Sequence, residues 1–309
     1  MTLPFTLQQL RIIKAVASEK SFTKAAEILF ISQPSLSKQI KLLENRLGIL
    51  LINRKNNKIS LTEAGYLFLQ YAERVLALCE ESCRALNDLK NGERGNLTVG
   101  ASQTIGTYLM PRVLALFAQH YPQINLKVHV DSTRIISKRV VDRDIDIAVV
   151  GGDVPEELKK HLEIENFVED ELSLIIPKSH PFAIKKHKLI NRDDLYHLNF
   201  ITLNTNSTIR KFIDNILKQN NIETKQFKII MQLNSIEAIK TAVSLGLGAA
   251  FVSSSAIEKE IELETIEIIK IENIKITRTL SIITNSNIYR SKAFEFFYNE
   301  LWSLKNFTD

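Results

Sequence analysis

SFTKAAEILFISQPSLSKQIKLLENRL, residues 21–47, carries two helical periods separated by a tight turn. Phe22, Ala25, Ala26 and Leu29 recur at the i, i+3, i+4, i+7 spacing of one helix face, and Leu36, Ile40, Leu43 and Leu47 put a second apolar stripe on the helix that follows. Ile31, Ser32 and Gln33 make the turn. Pro34 stands where a helix tolerates proline, in the first turn, whose N–H groups have no intrahelical acceptor. Opposite the second stripe lie Pro34, Lys38, Lys41 and Asn45, flanked by Ser35 and Ser37, with Gln33 at the tip. A helix presented end-on to the major groove uses such side chains: Gln or Ser for base edges, Lys, Ser and backbone N–H for phosphates. On spacing alone, an ordinary helical hairpin with a solvated face fits equally well.

Charge separates the two readings. The chain carries a net +5, yet residues 1–94 hold 14 Lys/Arg against 9 Asp/Glu while residues 95–309 hold 26 against 26. Within residues 1–58 the balance is 10 against 3. A basic N-terminal segment on a neutral remainder is the electrostatic footprint of a phosphate-neutralising domain joined to one with another task. Residues 50–61, LLINRKNNKISL, add two short β-prone runs around Lys55, Asn56, Asn57 and Lys58, where paired Asn suits a turn at positive φ. As a wing, this hairpin brings Arg54, Lys55 and Lys58 to the DNA backbone or minor groove; an edge hairpin guarded by lysines is the alternative.

From Thr62 to Leu89 there is no Pro and no Gly after Gly65, and Ala64, Phe68, Tyr71, Val75, Leu78, Ser82, Ala85 and Leu89 fall on a heptad seam. A helix of that length, roughly 40 Å, cannot bury such a stripe inside one small winged domain, so a second copy is expected to cover it. A two-fold pair of winged units then matches an inverted DNA repeat.

The helix pair, SQPSLSKQIKLLE, GILLINRKNNKISLTEAG and the long helix after them resemble the LysR-type transcriptional regulators over essentially the whole chain. That resemblance implies an α/β protein overall: a winged helix-turn-helix (1–61), a linker and dimerisation helix (62–94), and a two-lobed effector-binding domain (95–309) similar to type II periplasmic binding proteins. Lobe I would hold 95–166 and 270–309, and lobe II 167–269. The DNA-binding set read from residues and resemblance together is Ser32, Gln33, Pro34, Ser35, Ser37, Lys38, Lys41, Arg54 and Lys55. Expected partners are double-stranded DNA, a second copy through the linker helix, a further pairing into a dimer of dimers, and RNA polymerase.

The second half supports two lobes independently, because LTVGAS, LKVHVD, IDIAVV and, later, FITLN, KIIMQL and AAFVS alternate with helical runs. Alternation of this kind argues for parallel sheets with helices on both faces, and crossings near Asn166 and Lys270 would leave a cleft between lobes. Three strand-to-helix junctions carry hydroxyls or amides: Ser102, Gln103 and Thr104; Asn206, Ser207 and Thr208; Asn234 and Ser235. Each is explained as helix N-capping, but three together also suit a small anionic effector at strand C-termini and helix N-termini, with Thr133 and Arg210 completing the site. No resident cofactor or metal is expected.

No catalytic constellation competes. The six His residues show no ligand spacing, Gly246 and Gly248 sit at a helix end, and Gly151 with Gly152 reads as a turn. Cys79 and Cys83, one turn apart, cannot bridge each other and are expected to pack; a redox-sensing bridge between subunits is the alternative. Neither a signal-peptide pattern nor an apolar run of membrane-spanning length occurs, so an intracellular protein without membrane contact is expected.

Ile, Lys and Asn are abundant at 39, 26 and 22, which AT-rich codons would produce. Within the family, GASQTIGTYLMPRVLALFAQHYP, DSTRIISKRV and NSIEAIKTAVSLGLG resemble the regulators of Rubisco operons, and the AT bias is similar to copies encoded in algal plastids. The resemblance places the protein in the plastid stroma, otherwise in a bacterial cytoplasm. It departs at Arg143 and Asp144, where members commonly carry a Gly-containing turn. The sum is a non-enzymatic, effector-responsive DNA-binding regulator of carbon-fixation genes. The alternatives are a LysR-type regulator of nitrogen or amino-acid metabolism and, from another class, a solute-binding protein.

Overall fold

Thr6 and Gln9 start the first helix reciprocally: the Thr6 hydroxyl accepts from Gln9 N at 3.3 Å, and Gln9 Oε1 accepts from Thr6 N at 3.0 Å. Ser21 and Ser32 cap the next two helices, accepting from the backbone N–H of Lys24 and Ser35. These are α1 (Leu7–Glu19), α2 (Phe22–Ile28) and α3 (Gln33–Leu47). A hairpin, β1 (Ile52–Lys55) and β2 (Lys58–Leu61), and α4 (Glu63–Asn91) follow. The computed structural model describes residues 3–55, 58–91, 95–184, 188–287 and 289–305. It divides into two units, Met1–Gly92 with Asp142–Asp144, and Glu93–Val141 with Ile145–Asp309.

In the first unit both apolar stripes of the helix pair turn inward. Ala25, Ala26, Leu36, Ile40 and Leu43 share one core with Leu10, Ile13 and Val16 of α1. The buried carboxylate of Glu44 ties α3 to the hairpin by accepting from Leu51 N at 2.8 Å and Ile52 N at 3.1 Å. Gly65 is dictated by a close approach: a Cβ there would lie 2.0 Å from the Leu51 carbonyl oxygen. Thr62 completes the joint, donating its hydroxyl to Leu50 O at 2.7 Å and accepting from Gly65 N at 2.9 Å. The β1–β2 register pairs Arg54 with Ile59 and Lys55 with Lys58; the expected Asn56 and Asn57 turn lies outside the described residues.

Two expectations for α4 are corrected. Ala64 and Phe68 do not belong to a free seam, because the start of α4 packs on the winged core, with Phe68 edge-on to Phe5 at 5.6 Å. The exposed apolar stripe runs instead through Leu67, Tyr71, Val75, Leu78 and Leu86, opposite buried Ala72 and Leu76. The side chain of Leu89 lies outside those described. Nor do both cysteines pack: Cys79 is half-buried, and Cys83 is exposed. At the departure from the family pattern, Arg143 takes φ 64°, the left-handed conformation a glycine would adopt, and its guanidinium pairs with Glu81.

The second unit contains β3 (Gly95–Ser102), a π-helical turn (Ile105–Leu109), α5 (Met110–His120), β4 (Ile124–Asp131), α6 (Thr133–Val141), β5 (Ile147–Val150), α7 (Glu156–Lys159) and β6 (Leu162–Pro177). After these come α8 (Pro181–Ile184), β7 (Leu189–Ile190), β8 (Asn199–Leu203), α9 (Thr208–Gln219), β9 (Lys228–Leu233) and α10 (Ile236–Ser244). The unit closes with β10 (Ala250–Ser253), α11 (Glu258–Glu262), β11 (Ile266–Ile271), β12 (Thr277–Asn285) and α12 (Lys292–Lys305).

The parallel expectation holds for β3 with β4 and β5 and for β8 with β9, whereas β12, β10 and β11 pair antiparallel with β6, making the sheets mixed. Two strands, β6 and β12, run between lobes and pair along their length, with Asp170 opposite Arg278. The return crossing therefore falls beyond β11, past the Lys270 boundary read from sequence. Lobe I is built on Phe117, Phe294 and Phe297 with Val99, Val113 and Val149, and lobe II on Phe200, Leu217 and Phe227 with Leu174 and Ile213. No described helix is long and apolar enough to cross a membrane.

Candidate functional site

The first candidate surface is the outer face of α3. Ser32, Gln33, Pro34, Ser35, Lys38 and Lys41 are all exposed on one side of the helix, while Ser37 is half-buried. Because Gln33 and Ser37 are one turn apart, the Gln33 amide donates to Ser37 Oγ at 3.1 Å. That bond leaves the Gln33 Oε1 and one N–H of the exposed side chain unused by Ser37, the pair of groups a bidentate contact to adenine requires. Ser32 spends its hydroxyl on the cap of α3. On the inner side Gln9, buried, donates to Gln39 Oε1 at 3.2 Å and fixes α3 against α1. Arg54 and Lys55 lie on β1, but their side chains are outside those described.

The second candidate surface is a cavity of about 390 Å³ between the lobes. Ser102, Gln103, Thr104, Thr133, Ser207, Thr208 and Asn234 line it. Ser235 does not: its hydroxyl is turned back to accept from Ala238 N at 3.3 Å as the cap of α10. Arg210 does not either. It is buried on α9 itself, where Nε reaches both oxygens of Asp214 one turn on at 2.9 and 3.0 Å. The lobes approach each other at Gly152, where a Cβ would lie 3.1 Å from Thr133 Oγ1 and 3.2 Å from Thr208 Oγ1.

Sequence reading missed Ser132, Asn204, Gly151 and Arg278 in this lining. Ser132 caps α6, accepting from Ile135 N at 3.4 Å, and the Asn204 side-chain amide donates to Asn234 Oδ1. Arg278 matters most, being the one charged side chain in the lining among the described residues. It is 6 % exposed, donates Nε to Asp170 Oδ2 at 2.7 Å and Nη1 to Gly151 O at 2.8 Å. Ser253 braces the pair by donating to Asp170 Oδ1 at 2.5 Å. Arg278 Nη2 is 2.7 Å from the Asp170 Oδ2 that Nε engages, yet among the described residues neither it nor the buried Thr104 Oγ1 makes a hydrogen bond. The only hint in the sequence was a lone Arg in a run otherwise apolar at alternate positions. The N-termini of α6, α9 and α10 converge on the cavity with hydroxyl donors and this guanidinium, an arrangement that favours a small anion.

Comparison with known proteins agrees with this division of labour. Residues 7–66 match the family model described as bacterial regulatory helix-turn-helix protein, lysR family, and residues 90–304 match the LysR substrate binding domain. A protein of Thalassiosira pseudonana named "Probable RuBisCO transcriptional regulator" is 80% identical over 306 residues, covering 99% of this chain and 100% of its own length. One of the same name from Porphyra purpurea is 56% identical over 302 residues, 98% of this chain and 95% of its own. Among solved structures, full-length OxyR from Pseudomonas aeruginosa aligns with TM-score 0.74 at 24% identity over 97% of this chain and 95% of its own. Full-length CbnR complexed with its target DNA aligns with TM-score 0.69 at 21% identity, over 96% and 99%; both likenesses speak to the fold. The chain belongs to the LysR family: it is a DNA-binding transcriptional regulator, not an enzyme.

Proposed function

We propose that this regulator controls expression of the Rubisco genes in an algal plastid, reading an inverted-repeat operator as a homo-oligomer under the control of a small anionic metabolite. The observation that carries the target is similarity running the length of the chain to regulators named for Rubisco in several algae. The free apolar stripe on α4 supports a dimer, and pairing of dimers would span two half-sites with their flanks. Convergent helix N-termini, hydroxyls and Arg278 support an anionic effector in the interlobe cleft. In this reading Gln33 and Ser35 touch bases, Lys38, Lys41 and the wing's Arg54 and Lys55 touch phosphates, and effector closure of the lobes alters operator bending and the encounter with RNA polymerase.

The test is to map the sites this protein occupies on the plastid genome, and to measure operator bending with and without phosphorylated and carboxylated metabolites. Occupancy upstream of the Rubisco genes and a metabolite-dependent bend are expected. Occupancy confined to other genes overturns the target, and bending identical under every metabolite overturns the effector.

A further inference from the structure

Beside the cleft, a second set of contacts joins the lobes. Tyr108, in the π-helical turn of lobe I, donates its hydroxyl to Glu237 Oε1 at 2.7 Å in the first turn of α10 in lobe II. Lys240, one turn further along α10 and only 4 % exposed, lies 4.8 Å from the centre of the Tyr108 ring. Its ammonium donates to Ala256 O at 2.7 Å and pairs with Glu237 and Glu260 at 3.0 Å each, so its three protons have three acceptors within lobe II. Lys240 is thus a fixed cation, and Tyr108 is the lobe I group resting on it. A second link, Arg112 to Glu258 at 2.5 Å, joins two largely exposed side chains, which water screens.

The turn that carries Tyr108 is itself tied to the cleft. It begins directly after Ser102, Gln103 and Thr104, and Thr107 donates its hydroxyl to Gln103 O at 2.8 Å. Gly106 packs so tightly on β4 that a Cβ there would lie 2.6 Å from Val130 Cγ2, which pins the π-turn in place. Such one-residue insertions shift a side chain off the α-helical register and recur at functional sites. Burial, and then the hydrogen bond and charge of Glu237, push the Tyr108 phenol well above its ordinary range, so it remains a donor throughout physiological pH.

We propose that Tyr108 is the interlobe latch of the effector cleft, a positioning residue that holds the two lining surfaces in register through Glu237 and Lys240. The inference rests on the reading of that cleft as the effector site. An anion contacting the residue 102–104 segment and the end of β9 meets surfaces already brought together, so the latch removes part of the ordering cost of binding.

The experiment is hydrogen exchange on the full-length protein, comparing wild type with Tyr108→Phe, Glu237→Gln and Arg112→Ala. Tyr108→Phe is expected to raise exchange about tenfold over residues 102–109 and the first turn of α10, leaving the lobe I core over β5 and α12 unchanged. Glu237→Gln should do the same, the double variant should add little, and Arg112→Ala should change exchange far less. Exchange unchanged in Tyr108→Phe, or raised equally over the core, overturns the latch. Inorganic phosphate is then added as a probe. Where it protects the cleft in wild type, Tyr108→Phe should need about tenfold more of it, and equal requirement overturns the coupling. Absence of protection in wild type counts against the effector reading alone, because exchange without phosphate has already decided the latch.

Discussion

Asp170 and Arg278 face each other across the paired strands that link the lobes, both buried, with Arg278 Nε 2.7 Å from Asp170 Oδ2. This ion pair stands at the crossover, and its Arg278 member also lines the cleft, so it links the integrity of lobe II's attachment to the electrostatics of the ligand space.

Removing one member leaves the other charge buried. Arg278→Met is expected to destabilise the protein by about 3–5 kcal/mol. Adding Asp170→Asn should recover part of that loss in chemical denaturation, through a coupling of at least about 1 kcal/mol. Additive losses would show that the two do not act as a pair.

The proposed reading gives bases and phosphates to different residues of α3. Gln33→Ala should relax base preference at one position of each half-site by about 1–3 kcal/mol, and Ser37→Ala should reproduce part of this by freeing the Gln33 amide. Lys38→Ala should weaken binding evenly across sequences and reduce the salt slope by about 1. Gel-shift titrations at several salt concentrations measure all three, and a uniform loss for Gln33→Ala would overturn its base-reading role.

The exposed stripe on α4 predicts an interface centred on Tyr71, Val75 and Leu78. Leu78→Lys should dissociate the dimer, since burial of such a side chain stabilises by about 1.5–3 kcal/mol and a two-fold interface counts it twice. Sedimentation at micromolar concentration shows it; an unchanged oligomer would place the interface elsewhere. Phe68→Ala should instead unfold the winged unit, because Phe68 packs on Phe5.

Glu267 gives the stability a sign with pH. It is buried in β11 and accepts from Lys188 Nζ at 2.6 Å and Lys178 Nζ at 3.2 Å. Burial alone would raise its pKa, but the hydrogen bonds and charges of the two lysines outweigh it and hold the carboxyl below its ordinary range. A depressed value means that the stabilisation is complete above the unfolded value, about 4.3, and is lost as pH falls through the folded one. Glu267→Gln should therefore cost about 1 kcal/mol at neutral pH and flatten the decline in stability below about pH 4.5. Parallel acid-denaturation curves for the two proteins would exclude this.

Local chemistry was legible in the sequence, and long-range chemistry was not. The turn before α3, its proline and its caps are written in residues three or four apart, so spacing was enough to find the exposed face that carries Gln33 and Lys38. Arg278 escaped because Asp170, which holds it, is 108 residues away, and a lone Arg in a β-run reads equally well as facing solvent. Ser235 and Ser207 look alike as junction residues and both cap their helices, yet only Ser207 also lines the cavity, a distinction that spacing along the chain does not carry. The heptad seam slipped for the same reason: Phe68 fits the spacing, but its partner Phe5 lies in a segment that the periodicity of α4 does not include.

The joint at Gly65 has a mechanical consequence. With no side chain there and the Leu51 carbonyl in contact, the 29-residue α4 meets the base of the hairpin without slack. A rigid rod about 43 Å long hinged at one end converts a tilt of about 5° into a displacement of about 4 Å at the other, comparable to the roughly 3.4 Å between successive bases on one strand. Helix and winged core are thereby one piece, in which a tilt of α4 by a few degrees carries the α3 face by about one base step.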